Sequence, residues 1–346
     1  TLNGCSNTQT SSPSQKIKQQ EQSVDQPTFV PKMEELKVQS VDPGIELNVL
    51  HKFNSEKKEF TGKEVVLFLE PYSVPTAAAF DVTGYSWMEA YAKKGYDTWA
   101  MDFRGFGNST RPEVMSKPAT QNPPTVRATD AIKDLEAVIQ HIKKTRNVDK
   151  ISIIGWSWGA VVAGMYATDH SDSIDKLVLY GAMHGFSLPE MATSYEAKEK
   201  PGEINPKMPA YQMISYEKGM HHWHMMMGDK QLVSKEAYEQ VEKVFVASDP
   251  ESSKQPDKEI RRPMGPLVDL YYIWSNKPIF DAQKIKVPTL VIRGDQDFFA
   301  DPTLIDKLTN ASKKKEVVVK EATHWLIYEK NRQQLLDNVE DFLKEN

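Results

Sequence analysis

The sequence predicts an α/β fold: a mostly parallel, eight-stranded sheet covered by helices on both faces, with one long helical insertion. Three observations carry this expectation. Short strand-like apolar runs recur along the chain and alternate with amphipathic stretches. The clearest of them, Val65–Leu69 (VVLFL), is apolar throughout, as expected of a strand covered on both faces. A single long segment, about Gly185 to Gln283, breaks the alternation.

In chain order, Glu35–Gln39 and Ile45–Phe53 read as two early strands, followed by Val65–Leu69, Thr98–Met101 and Ile151–Ile154. Leu177–Tyr180, Thr289–Ile292 and Val317–Val319 complete the set of strands. Between Arg127 and Arg146, Ala131, Ile132, Leu135, Val138, Ile139 and Ile142 recur at helical spacing. Lys143, Lys144 and Arg146 sit at that helix's C-terminal end, where cations complement the dipole. A last helix, Asn331–Lys344, places Leu335, Val339, Phe342 and Leu343 on one stripe. The segment 185–283 has no clear strand and is rich in Met and aromatic residues. These divisions give a tail (1–30), a core (31–184 and 284–346) and an insertion (185–283).

Composition narrows the function. The chain has 346 residues, of which 39% are hydrophobic, and 43 basic against 48 acidic residues give a net charge of -5. That balance argues against nucleic-acid binding, and a single cysteine excludes Cys-based metal sites. Nothing approaches the roughly 18 apolar residues of a membrane-spanning helix. Thr1 to Gln26 is polar and expected to be disordered. Its Leu2-Asn3-Gly4-Cys5 resembles a bacterial lipobox, with Asn3 an unusual occupant. A lipid on Cys5 would make this an extracytoplasmic protein tethered to a membrane; the alternative is a cytoplasmic protein with a stray cysteine.

The chemistry is written in three places. Gly155-Trp156-Ser157-Trp158-Gly159 lies between strand Ile151–Ile154 and a helix of small residues. A serine at the tightest point of such a turn needs neighbours without bulk, and the helix N-terminus aims its amides at a developing anion. A hydroxyl needs a base. His324 is the histidine in a loop directly after the last strand, beside the carboxyl ends of the central strands. The histidine in turn needs a carboxylate. Arg293-Gly294-Asp295-Gln296-Asp297 offers two, and Asp297 is preferred because the later residue of such a turn projects into the site.

With these residues in hand, the chain resembles the α/β-hydrolase superfamily over about Lys32 to Asn346. The order Ser157, Asp297, His324 is that family's nucleophile, acid, base. Asp102-Phe103-Arg104-Gly105-Phe106-Gly107-Asn108-Ser109 is similar to its DxRGxGxS stretch, read here as structural. The resemblance implies a serine hydrolase that forms an acyl-enzyme, an oxyanion donor at the Trp158 amide and a lid formed by the insertion. It also implies a second donor in Leu69-Glu70-Pro71-Tyr72-Ser73, where many relatives carry His-Gly. Pro71 has no N–H, so Tyr72 is chosen and Ser73 comes second. Glu70 is expected to brace the loop by accepting backbone amides.

For the substrate, Trp156 and Trp158 flank the nucleophile and suggest an apolar face. Ser73, Trp223 and Met226 are the other candidate contacts. His221, His222 and His224 lack a further ligand at helical spacing and are read as pocket surface, so neither a metal nor a cofactor is invoked. A small ester or lactone is the favoured substrate. An amide, as for proline iminopeptidases, and a ligand-binding relative with little turnover are the alternatives. A haloalkane dehalogenase is disfavoured because its nucleophile is an aspartate.

Overall fold

The apolar runs assemble into one sheet whose central strands are buried on both sides, with the polar strands at its edges. In a computed structural model, which describes residues 29–346, the strands are β1 (Lys32–Gln39), β2 (Glu46–Phe53), β3 (Val65–Leu69), β4 (Asp97–Met101) and β5 (Ile151–Trp156), then β6 (Ile174–Tyr180), β7 (Tyr211–Ile214), β8 (Ile260–Pro263), β9 (Thr289–Gly294) and β10 (Lys314–Val319). Cys5 and most of the tail lie outside the described residues. Eight of the strands form the main sheet, ordered β1-β2-β4-β3-β5-β6-β9-β10. β1, β2 and β4 pair antiparallel, and every pairing from β4 to β10 is parallel.

Side-chain alternation sorts the strands between two cores. Leu67, Leu69, Ile153 and Leu179 face one core with helices Ala128–Arg146 and Trp158–Ala167. Phe68, Ile154, Trp156 and Tyr180 face the other with helices Trp87–Ala92 and Arg332–Lys344. Both faces are therefore dry, as the continuous apolar runs require. The strand ends that periodicity misses are set by pairing: Lys32 joins β1 because it lies opposite Phe53.

One expectation is corrected. The segment 185–283 is not free of strands, since β7 and β8 form an antiparallel ribbon with Tyr211 opposite Pro263 and Gln212 opposite Arg262. Strands of four residues are too short to show a period, and each finds its partner far along the chain. Helices His221–Met227, Lys235–Ala247 and Gly265–Trp274 are the segment's longest helices.

Candidate active site

The site is built on the turn between β5 and the helix Trp158–Ala167. Ser157 sits at φ 61°, ψ -121°, a backbone conformation that non-glycine residues rarely hold. Its N–H is fixed by the Tyr180 carbonyl at 2.9 Å. The flanking glycines are steric requirements: a Cβ at Gly155 would lie 2.6 Å from the Gly159 carbonyl oxygen, and one at Gly159 would lie 2.6 Å from that of Glu70.

Asp297 and His324 meet across the ends of β9 and β10. His324 Nδ1 and Asp297 Oδ2 are 2.6 Å apart, while Asp297 Oδ1 accepts the Phe299 N–H at 3.0 Å. Asp295 points elsewhere, accepting the Ala322 N–H at 3.2 Å from an exposed position. Tyr180, which the sequence reading passed over, ties this pair to the serine turn. Its carbonyl holds Ser157, and its hydroxyl donates to the His324 carbonyl at 2.9 Å. Trp156 Nε1 donates to the same carbonyl at 3.1 Å. Next along the chain, Gly181 (φ 56°) leaves the room: a Cβ there would lie 2.9 Å from the His324 ring and 3.2 Å from Asp297 Oδ2. The only signal of this role is a glycine directly after a buried strand.

A second pair shows why a His–Asp contact alone decides nothing. His51 Nε2 and Asp97 Oδ1 are also 2.6 Å apart. That imidazole, however, is stacked between Phe53 and Trp99 beside Arg146, inside the core.

Two backbone amides near Ser157 are left without a backbone acceptor. The Trp158 N–H opens its helix, so it has no intrahelical acceptor. The Tyr72 N–H has no partner among the described residues. The Tyr72 hydroxyl donates to the Pro263 carbonyl at 2.6 Å, anchoring this loop to β8. The expected brace is misassigned. Neither carboxyl oxygen of Glu70 has a hydrogen-bond partner, and the residue is fully buried. The neighbouring segment is instead braced by Asp102, which accepts from the Ala77 N–H at 2.7 Å and from Thr76 Oγ1 at 3.2 Å.

Burial, with the nearby Asp102 charge second, pushes the Glu70 carboxyl well above its ordinary 4.5. Below that value both folded and unfolded chains are protonated, so the group adds no pH dependence. As pH rises above it, the unfolded chain releases the proton that the folded chain keeps, and stability falls toward the raised folded value. Glu70→Gln removes the effect. Its stability advantage over the wild type is expected to widen as pH rises above about 5, at up to about 1.4 kcal/mol per pH unit, and to appear as a growing gain in melting temperature. A gap that stays constant with pH in thermal melts would refute the protonated assignment.

Ser157 opens into a cavity of about 670 Å³. Tyr72, Ser73 and Phe299 come to its wall from the core, and His222, Arg262 and Trp274 come from the insertion. A wider open depression, lined by Lys94, Tyr96 and Glu340, lies at the opposite, N-terminal end of the strands. Ser73 thus lies on the cavity wall, but four other contacts need correction. Trp156 is buried in the far core, stacked on Tyr180 at 5.1 Å. The Trp158 indole is buried between Phe103 and Phe106 and donates to Asp269 at 3.0 Å. Trp223 is buried and donates to Glu329 at 2.8 Å. Met226 faces the core, and its neighbour Met225 lines the cavity. Periodicity marks these residues as apolar without saying which face of the turn or helix they occupy.

The three histidines diverge. His221 borders the cavity, and His224 Nε2 meets the Tyr238 hydroxyl at 3.0 Å. His222 Nε2 accepts the Trp325 indole N–H at 2.9 Å. Burial first, and then the charges of His324 and Arg262, hold the His222 pKa well below the usual range. It is therefore neutral, with its proton on Nδ1.

Residues 82–331 match the model of the alpha/beta hydrolase fold family. The chain belongs to this family. It is 22% identical over 283 residues to epoxide hydrolase 3 of Xenopus tropicalis, covering 77% of this chain and 70% of that protein. Among solved structures, the enol-lactonase of Burkholderia xenovorans LB400 superposes with a TM-score of 0.56 at 18% identity, covering 90% of this chain and 100% of that one. An epoxide hydrolase from Vigna radiata gives 0.58 at 17% identity, covering 90% and 98%. At these identities the likeness is one of fold. Within the alpha/beta hydrolase family, chemistry has to be argued from the site itself.

Proposed function

We propose that this chain is a serine hydrolase that cleaves carboxylic esters or lactones of small, partly apolar substrates. One observation carries the reading: a strained serine opens into a cavity, and a buried His324–Asp297 pair is locked to the same turn through Tyr180. In this mechanism Ser157 Oγ attacks the carbonyl carbon while His324 Nε2 takes its proton. Asp297 holds the proton on Nδ1 and stabilises the imidazolium. The Trp158 and Tyr72 amides hold the oxyanion, a contribution of about 3 kcal/mol per donor. Collapse expels the alcohol, protonated by His324, and water activated by the same ring releases the acid. The segment 185–283 then serves as a lid, since it supplies much of the cavity wall opposite Ser157.

Epoxides fit this reading poorly. A serine oxygen opening an epoxide would form an ether, which water cannot release under these conditions. A carboxylate nucleophile would form an ester, which it can. Position 157 therefore favours acyl chemistry despite the similarity to epoxide hydrolases.

The test is a fluorophosphonate probe, followed by kinetics on p-nitrophenyl esters of graded length, on lactones and on aminoacyl anilides. We expect labelling at Ser157 and turnover of esters or lactones well above that of anilides. Folded protein that is neither labelled nor active on any of them would leave a binding role.

A further inference from the structure

Arg262 lies on β8 and is only 6% exposed, yet it forms part of the cavity wall that also holds Ser157. Its Nε and Nη2 donate to Gln212 Oε1 at 3.1 and 2.6 Å, and its Nη1 donates to the Ser73 carbonyl at 3.3 Å. Its guanidinium carbon stands 4.4 Å above the Tyr72 ring. No carboxylate among the described residues pairs with it. The contrast with the preceding residue on the same strand is direct: Arg261 makes a two-pronged contact with Asp249, at 2.8 and 2.9 Å. Arg104 and Arg146 likewise meet buried aspartates. A cation withdrawn from water needs a partner, and Gln212 and Ser73 supply dipoles but no charge.

The donors that remain define what such a partner would be. Gln212 and Ser73 take one N–H from each terminal nitrogen of Arg262, and the guanidinium fork retains donors of the kind that suit a planar carboxylate. The contact with Ser73 places the fork next to the loop that carries the Tyr72 amide. The other charged groups on the wall, Glu190 and Lys218, sit at exposed positions, and Met225, Leu267 and Trp274 make the wall between them apolar. We infer that the substrate carries a carboxylate a few bonds from the scissile carbonyl, and that Arg262 binds it. This rests on the hydrolase reading above and narrows its substrate class to acidic esters or lactones.

The experiment compares charged and neutral substrates of equal length. One arm puts the charge on the acyl side, with p-nitrophenyl monoesters of glutarate, adipate and pimelate beside the matching alkanoates. The other puts it on the leaving group, with 4-acetoxybenzoate beside 4-methylphenyl acetate. In at least one arm the wild type should favour the charged member by about tenfold or more in kcat/KM. Arg262→Gln should collapse that ratio, and Arg262→Lys should keep part of it. A role confined to holding the Ser73 loop would instead lower both rates together and leave the ratio unchanged. That outcome, or a wild-type ratio at or below one in both arms, overturns the inference. Calorimetric titration of the Ser157→Ala variant with monomethyl adipate separates the two readings. Binding abolished by adding Arg262→Gln supports the anion subsite even if no ester is ever cleaved, whereas failure of labelling and turnover counts against the hydrolase alone.

Discussion

Ser157→Ala is expected to lower kcat on a good p-nitrophenyl ester by about 10⁴- to 10⁶-fold, and to abolish labelling by a fluorophosphonate. The upper figure corresponds to about 8 kcal/mol of lost transition-state stabilisation. Little else should change. Alanine accepts the same φ of 61° with the same strain, and no hydrogen bond that holds the turn comes from the serine hydroxyl. The Ser157 N–H bond to Tyr180 is a backbone contact and survives the substitution. Melting temperature should therefore stay within a few degrees while activity vanishes. Initial rates, normalised to folded protein by circular dichroism, check both halves. A variant that keeps its activity would show that the nucleophile lies elsewhere, and the acyl-enzyme reading would fall.

How much of this was legible in the sequence depends on what each residue has to satisfy. Val65–Leu69 and Ile151–Ile154 were readable because burial on both faces demands unbroken apolar runs. Ser157 was readable because its strained turn demands two glycines within the space of the elbow. Of the two candidate acids, only Asp297, the later residue of that turn, reaches His324. The brace of the Glu70 loop was misassigned. Glu70 has the chemistry of a brace, but its carboxyl is buried without a partner, and the carboxylate that accepts from the neighbouring segment is Asp102, at the end of β4. The same limit hid the cavity wall. Trp156 and Trp158 are adjacent to the nucleophile in sequence yet point into opposite cores, while Arg262 and Phe299 reach Ser157 from distant segments. Tyr180 carried no recognisable pattern, because its role needs only a hydroxyl at the end of a strand.

Asp297→Asn should be the second large loss, about 10⁴-fold in kcat, through the wrong histidine tautomer and not through loss of the fold. Asp297 makes two contacts with different demands: Oδ1 accepts from the Phe299 N–H at 3.0 Å, and Oδ2 faces His324 Nδ1 at 2.6 Å. An asparagine must keep an oxygen toward Phe299, so its NH₂ turns toward the imidazole. Nδ1 is then forced to accept, and the ring proton moves to Nε2. That nitrogen can no longer take the proton of Ser157. Asp295→Asn makes no such conflict, because its oxygen still accepts the Ala322 N–H at an exposed site. Its kcat should stay within about threefold of wild type, as for a surface change away from the chemistry. Proton NMR of the imidazole supplies the tautomer directly, and kinetics of the two variants supply the contrast. If Asp295→Asn were the crippled one, the carboxylate partner of His324 in the working enzyme would differ from the one described here, and the β9–β10 loops would have to rearrange on binding substrate.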